Sequence, residues 1–376
     1  MNKSDTLTRK KAELQARGVR IPRGLISELE TKYNAPAIRT GRMVLCLKHP
    51  AMDGELIPAF IVNGKRAARS PLHLVKNGSG GYEVWAGDGK YTDITLLPRP
   101  CFYNLTVGGG IPMYKLAVIV GPGHIRSVVN QRCYYHQIGR PCQFCAIPHW
   151  WDTNIEKASS DIAAAVESGF REGVAKHLSL TSANLGTRDK GLETLVKTAG
   201  IIQANVRIPI MLEFEPIDDF SLLESLLREG KQAGVTTVSC NIECFDEGLR
   251  RQVMPVKGVI PVSNYIKTWE KCLEIFGKNE VFTVAIVGIG EEDDSIIKGV
   301  KMAASHGVMT FLVPHSPAIG AVYEDMESPG ADRMLSLYEQ AVAIYRKQGL
   351  DLFASRAGCV RGGGFSAIKE VARFGL

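Results

Sequence analysis

From residue 116 onward, short apolar runs alternate with stretches whose apolar residues recur at helical spacing. The runs fall near 116–121, 125–129, 177–182, 207–214, 235–243, 281–288, 308–314 and 350–354. Helical patterns lie between them near 158–171, 190–204, 219–233, 263–276, 293–306 and 331–348. About six β-α units in series predict a parallel sheet with right-handed crossovers. That many units favour an α/β fold of the (β/α) barrel type, partial or complete, over an open sheet. Ser159-Ser160-Asp161 read as cap residues for the first of these helices. Asp293-Asp294 place negative charge at another helix start, as the macrodipole favours.

Residues 25–115 have a different texture. Short apolar runs, Met43–Leu47 and Leu56–Val62, are separated by turn clusters at Asn77–Gly81 and Gly87–Gly89. These predict a small, mostly β module. The expected organisation is therefore a polar arm with helical character over 1–24, the β-rich module over 25–115, the barrel over 116–355 and a Gly-rich tail over 356–376.

Charge sharpens this division. The chain of 376 residues has a formal charge of +6, and residues 1–24 alone carry +5. A body so near neutrality argues against a nucleic-acid partner, which needs a basic stripe on the fold itself. No run approaches the ~18 apolar residues of a membrane helix. The basic N-terminus lacks the apolar core of a secretory signal, so a cytoplasmic protein is expected. Nine cysteines, an odd number in a long chain, fit reduced thiols or metal ligands better than a disulfide framework.

Three of those cysteines form the strongest chemical signal, Cys133-Tyr-Tyr-His-Gln-Ile-Gly-Arg-Pro-Cys142-Gln-Phe-Cys145. They follow a predicted strand, where a barrel carries its reactive residues. Thiolates are soft ligands suited to zinc or iron–sulfur clusters. On the cysteines alone, zinc stays open, with His136, His149 or Cys101 as fourth ligand, and so do inert buried thiols. Three local thiolates without an obvious fourth suit a four-iron cluster with one iron left free.

Phe144 before the last cysteine gives the loop a Cys-x-aromatic-Cys ending. This resembles the cluster loop of the radical S-adenosylmethionine (SAM) superfamily, although eight residues separate the first two cysteines, more than is usual there. Later segments carry the resemblance onward. Val284-Ala-Ile-Val-Gly288-Ile-Gly290-Glu291 resembles the fifth-strand motif of the biotin synthase branch, where a glycine-rich strand end admits the adenine; Val284 departs from it. Ser239-Cys-Asn241-Ile-Glu243 resembles the fourth-strand end that binds the ribose. Arg250-Arg251 after it offer guanidinium partners for the SAM carboxylate. Ser179, Thr181, Ser182 and Asn184 occupy the place of the second-strand motif that receives the amino group, without its usual Gly-Gly-Glu. Val313-Pro-His315 resembles the sixth-strand end beside the adenine. Glu13-Leu-Gln-Ala-Arg-Gly-Val19 is similar to the start of a group of radical SAM proteins encoded beside nitrilase genes in bacteria.

The resemblance implies a [4Fe–4S] cluster on Cys133, Cys142 and Cys145, with SAM as its partner. It implies reductive SAM cleavage that starts radical chemistry on a small-molecule substrate. Two alternatives stand beside this: aminocarboxypropyl transfer from the same site, and a non-catalytic zinc-stabilised barrel. Glu213 and Glu215 share one strand face. If it points inward, they would bind a cationic or hydroxylated substrate and, as a buried like-charge pair, hold one proton between them. Cys359, in a positive and glycine-rich setting, is a candidate hydrogen donor or substrate-holding thiolate over the barrel mouth. Trp150 and Trp151 would shield the cluster. Gly123–Trp151 contains Arg126, Arg132 and Arg140 and no acidic residue. That predicts an acidic reductant, flavodoxin or ferredoxin, at the cluster loop.

Overall fold

The computed structural model describes residues 6–48, 54–63, 65–149 and 156–376. Trp150 and Trp151 lie outside them. The strands are β1 (Arg42–Lys48), β2 (Leu56–Val62), β3 (Leu72–Lys76), β4 (Tyr82–Ala86), β5 (Gly89–Ile94), β6 (Val118–Gly121), β7 (Gly123–Val128), β8 (Ala175–Thr181), β9 (Ile210–Phe214), β10 (Val235–Cys240), β11 (Val281–Val287) and β12 (Met309–Pro314). The helices are α1 (Leu7–Arg17), α2 (Arg23–Lys32), α3 (Tyr134–Gln137), α4 (Ser159–Arg171), α5 (Leu192–Asn205), α6 (Phe220–Gln232), α7 (Glu247–Val253), α8 (Val262–Phe276), α9 (Asp293–Ser305), α10 (Ala331–Lys347), α11 (Gly358–Gly362) and α12 (Ile368–Phe374).

Strands β6 to β12 form one sheet in the order 12-11-10-9-8-7-6. β7 to β12 run parallel, and β6 returns antiparallel on β7. The helices between them pack on the sheet's outer face, as right-handed crossovers require. The fold is thus a partial (β/α) barrel. The apolar run at 350–354 forms no strand. There the Asp351 carboxylate turns the chain by accepting from the Phe353 N–H at 2.8 Å, so Leu350 and Leu352 are buried from a loop.

The sheet ends at β6 and β12, and two segments from outside it complete the wall. The antiparallel pair β1–β2 leans on β6. The tail beyond residue 356 folds back beneath the barrel, with α11 against β7, β8 and β9. β3–β4–β5 form a second small sheet, sharing an apolar core with β1 and β2 that also takes Leu14, Val19 and Leu29.

The basic arm is part of this construction. Thr6 caps α1, accepting from the Arg9 N–H at 3.3 Å. Lys11 is fully buried, 2.8 Å from the Glu370 carboxylate and 2.9 Å from the Gly363 carbonyl. Gln15 donates to the Gly364 carbonyl at 2.9 Å. The charge that reads as a solvated tail thus binds the two ends of the chain together. Helix α1 ends at Gly18 with φ +67°, where a Cβ would lie 2.4 Å from the Val62 carbonyl oxygen, so only glycine fits.

One expected cap is not made. α4 starts at Ser159 itself, with Ala158 at the N-cap position and no side-chain cap bond. Ser159 instead shares a 2.7 Å hydrogen bond with Thr198 on α5, which ties neighbouring helices. Asp161 still places its charge in the first turn, as Asp293 and Asp294 do in α9. Among the described residues, no helix is long and apolar enough to cross a membrane.

Candidate active site

The parallel strands end around a cavity of about 350 Å³. Alternation along each strand sets what reaches it. On β9, Met211 packs against Gly358 at the floor, while Glu213 and, just past the strand's end, Glu215 line the cavity above. On β8, His177 and Ser179 form lower layers and Thr181 reaches the cavity. The floor is polar but uncharged. His124 and His177 stack with ring centroids 4.4 Å apart, and burial holds both well below the usual histidine range, His177 at about 3.

Cys133, Cys142 and Cys145 all line this cavity. The loop that carries them is pinned from several sides. The Tyr134 N–H donates to the Asn184 carbonyl at 2.8 Å and the Gln143 N–H to the Val253 carbonyl at 2.9 Å. The Gln143 carbonyl accepts from the Tyr323 N–H at 2.8 Å. Phe144 lines the cavity and packs against the buried cluster of Cys244, Val253, Met254 and Ile289. Burial pushes the Cys145 thiol up to about 11 and the Cys142 thiol well above its usual range. Among the described residues, no three His, Cys, Asp or Glu side chains close on a point that would hold a single metal ion. A [4Fe–4S] cubane asks for less convergence, because its three thiolates each bind a different iron. Three cysteines on one cavity wall, with no carboxylate on their loop, fit such a cluster. Cys101 lies outside the cavity, its N–H held by Glu172 at 2.7 Å.

Thr181, Ser182, Asn184, Asn241, Glu243, Val313 and His315 line the same cavity. Glu243 has φ +57°, a costly conformation for a residue with a Cβ. Backbone bonds clamp it there: its N–H donates to Val284 at 2.9 Å and its carbonyl accepts from Ile286 at 2.8 Å. Strain held this way is common where a side chain must be aimed. Burial raises the Glu243 carboxyl to about 7, although Lys257 sits 2.7 Å away. Glu243 in turn keeps Lys257 charged in spite of its burial.

Other expected residues lie elsewhere. Ser179 is one layer down, 2.7 Å from His124. Arg250 is buried away from the cavity, donating to the Ile260 carbonyl at 2.8 Å and lying over the Tyr265 ring. Arg251 is exposed beside Glu247. Helical spacing on α7 turns both from the strand ends, whereas Lys257, further along the same connection, lines the cavity. Gly288 and Gly290 are also outside the lining. Gly288 has φ +99°, and a Cβ there would meet Pro329 at 2.7 Å, so its lack of a side chain serves the turn after β11. Glu291 is buried as a strut, accepting from the Phe245 and Asp246 N–H groups and from Ser295.

Glu213 and Glu215 face inward, but each has its own partners. Glu213 accepts from Arg126 at 2.8 Å and from Asn241 at 2.6 Å. Glu215 accepts from the Tyr135 hydroxyl at 2.8 Å and from Asn184, with Lys190 3.8 Å away. The like-charge pair sharing a proton is therefore not what this geometry builds. Cys359 sits under the cavity in α11, 6% exposed, rather than over its mouth. Its sulfur accepts from Arg126 at 3.9 Å, yet burial pushes the thiol up to about 12, the reverse of the activation expected from a positive setting.

Sequence reading missed Arg126, Tyr135, Lys190 and Lys257 as cavity residues, and Gln15, Arg42 and Phe60 from outside the barrel. A charge inside the apolar β7 run was the available signal for Arg126. Nothing local marks Gln15 or Arg42, which arrive only through tertiary packing.

Residues 129–303 match the Radical SAM superfamily. No curated protein matches the chain in sequence. Among solved structures, methylornithine synthase (PylB) is similar at 13% identity and TM-score 0.46, covering 58% of this chain and 61% of that one. HydG, a maturase of the [FeFe]-hydrogenase, is similar at 12% identity and TM-score 0.44, covering 59% and 49%. HydG from Carboxydothermus hydrogenoformans gives 15% and 0.45, covering 60% and 51%. The chain thus spans between about half and three fifths of the length of these proteins. Residues 129–303 are a radical SAM domain, and the cofactors of that superfamily are a [4Fe–4S] cluster and SAM.

Proposed function

We propose that the chain is a radical SAM enzyme that reductively cleaves SAM and directs the resulting radical at a small-molecule substrate. The observation that carries this is one cavity lined at once by the three loop cysteines and by the ends of β8, β9, β10 and β12. Cys133, Cys142 and Cys145 would hold the cluster. When bound, the cluster and SAM together supply an electron and a carbon-centred radical, chemistry that side chains lack.

This chain's own residues bind and orient. Asn241 and Glu243, aimed by the clamped backbone at the β10 end, suit the ribose hydroxyls. Lys257 is the cation placed to meet the SAM carboxylate, with Glu243 keeping it charged. Thr181, Ser182 and Asn184 offer oxygens for the amino group, and Val313 and His315 a wall for the adenine. Glu213, held by Arg126 and Asn241, and Glu215, held by Tyr135, are the substrate-facing carboxylates. α11 with Cys359, and β1–β2 through Phe60, close the half-barrel from below and from the side, which keeps water from a reactive intermediate.

A position within the biotin-synthase-like branch, near the nitrilase-neighbour group, rests on the strand-end motifs and the Glu13–Val19 segment alone. A cytoplasmic setting suits nine free cysteines, since thiols persist reduced there. An acidic flavodoxin or ferredoxin would dock at exposed Arg132 and Arg140. The fold brings Glu156 to 3.5 Å from Arg132, which tempers that patch.

The test is anaerobic iron–sulfide reconstitution, then dithionite and SAM. About four irons per chain and release of 5′-deoxyadenosine are expected. 5′-Methylthioadenosine would instead reveal aminocarboxypropyl transfer. Stoichiometric zinc that persists through reconstitution, with no SAM-derived product, would overturn the reading.

A further inference from the structure

Part of the active cavity is walled by segments from outside the barrel: Gln15 of α1, Phe60 of β2, and Cys359 and Phe365 of the tail. They meet at Gly364, whose carbonyl accepts from the Gln15 Nε2 at 2.9 Å and from the Phe60 N–H at 2.8 Å. The Phe60 and Phe365 rings pack 4.8 Å apart. Arg126, which also lines the cavity, lies over Phe365 at 5.9 Å.

Gln15 is 5% exposed. Its bond to the Gly364 carbonyl fixes which end of the amide is nitrogen, because a carbonyl oxygen takes only a donor. The other end, Oε1, is buried and meets no donor among the described residues. Arg126 Nε is buried without an acceptor as well, since the Nη atoms are the ones that reach Glu213 and Cys359. Folded proteins leave few buried polar atoms unpaired, and one in a cavity wall can be met by what fills the cavity. Charge narrows the filling group. Glu213 already neutralises Arg126 at 2.8 Å, and Lys190 stands 3.8 Å from Glu215. A charged group brought here would lose water without gaining a counter-ion. The wall therefore asks for a neutral group with an N–H for Gln15 and an oxygen for Arg126. The aromatic faces of Phe60 and Phe365 suit a planar one.

We propose that this wall is the substrate's subsite, and that the substrate presents a carboxamide to it. The amide N–H donates to Gln15 Oε1, its carbonyl oxygen accepts from Arg126 Nε–H, and its plane lies against the phenyl rings. Gln15, supplied by the N-terminal arm, is then a specificity-determining residue, because an ester or a tertiary amide offers its oxygen no donor. This rests on the radical SAM reading for the role of the ligand, but the binding itself needs no turnover.

The probe is benzamide, titrated calorimetrically into the protein after iron–sulfide reconstitution. N,N-dimethylbenzamide, which has no N–H, benzoate, which is charged, and benzyl alcohol, which is not an amide, are the controls. One benzamide per chain is expected, bound about tenfold more tightly than any control. Gln15→Met removes Oε1 and leaves the Gly364 carbonyl its bond from the Phe60 N–H. It should weaken benzamide about tenfold and erase its advantage over N,N-dimethylbenzamide. Iron content and SAM binding, measured on the variant, report whether it has folded; if it has not, the wild-type ligand series decides alone. Benzoate or benzyl alcohol bound as tightly as benzamide, or an N–H preference that survives in folded Gln15→Met, would overturn the assignment. Benzamide ignored by a protein that takes up iron and SAM sinks this inference alone. Benzamide bound in the expected order by a protein that takes up neither supports the subsite's ligand class and removes the radical reading.

Discussion

Two adjoining spaces in this molecule differ in where the acids that meet their cations lie. In the first cavity each carboxylate meets a cation: Glu213 with Arg126 at 2.8 Å, Glu215 near Lys190 at 3.8 Å, Glu243 with Lys257 at 2.7 Å. A second space of about 380 Å³ adjoins it between the β6 edge and the β1–β2 pair, and its described lining holds Arg39, Arg42, Lys115, Arg126 and Lys157 and no acid, with Glu30 and Glu213 pairing Arg39 and Arg126 from outside it. A self-compensated site suits a ligand that carries both signs, as SAM does with its amino, carboxylate and sulfonium groups. The comparison can be broken experimentally, beginning in the first cavity.

The largest effect expected is at the cluster. Cys142→Ala should reduce iron content and bring 5′-deoxyadenosine release to background, measured by iron assay and chromatography. Wild-type iron content or 5′-deoxyadenosine release in this variant would remove Cys142 from the cluster.

The next effect tests compensation inside the first cavity. Lys257→Met leaves the Glu243 carboxylate buried beside Glu213 and Glu215, and should cost about 3–5 kcal/mol in denaturant unfolding. Adding Glu243→Leu should recover most of that loss, because an apolar pair avoids the desolvation penalty. SAM affinity should fall in the single and the double variant alike, which separates the pair's binding role from its structural one. A double variant no more stable than Lys257→Met would show that the two charges are not coupled.

The legible part of this architecture is the part built by local rules. The helix patterns from α4 to α10 and the parallel strands from β7 to β12 follow hydrophobic periodicity, and cavity residues such as Thr181, Glu213, Glu215 and Asn241 follow strand alternation at strand ends. Errors arose where a third dimension decides. Ser179 obeys the same alternation as Thr181 but sits a layer lower, and depth within a barrel has no sequence period. Arg250 and Arg251 carry the right chemistry on a helix that faces away, while Lys257 six residues beyond Arg251 has returned to the cavity. Gly288 looks like room for a ring and is instead room for Pro329. Cys359 looks mobile and is packed under the floor. Arg42 and Phe60 reach the cavity because β1–β2 leans on β6, a contact that no motif announces.

The smallest effect is a pH dependence carried by Lys157. Burial lowers its ammonium from 10.5 to about 8 in the folded protein. Between those values the unfolded chain holds the proton and the folded chain does not, so this group's contribution to stability rises with pH across that window. Denaturant unfolding followed from about pH 8 to 10 should show this rise against the background of the other groups, and Lys157→Met, which has no ammonium to titrate there, should show a flatter profile. A rise that survives unchanged in Lys157→Met would place the titrating group elsewhere.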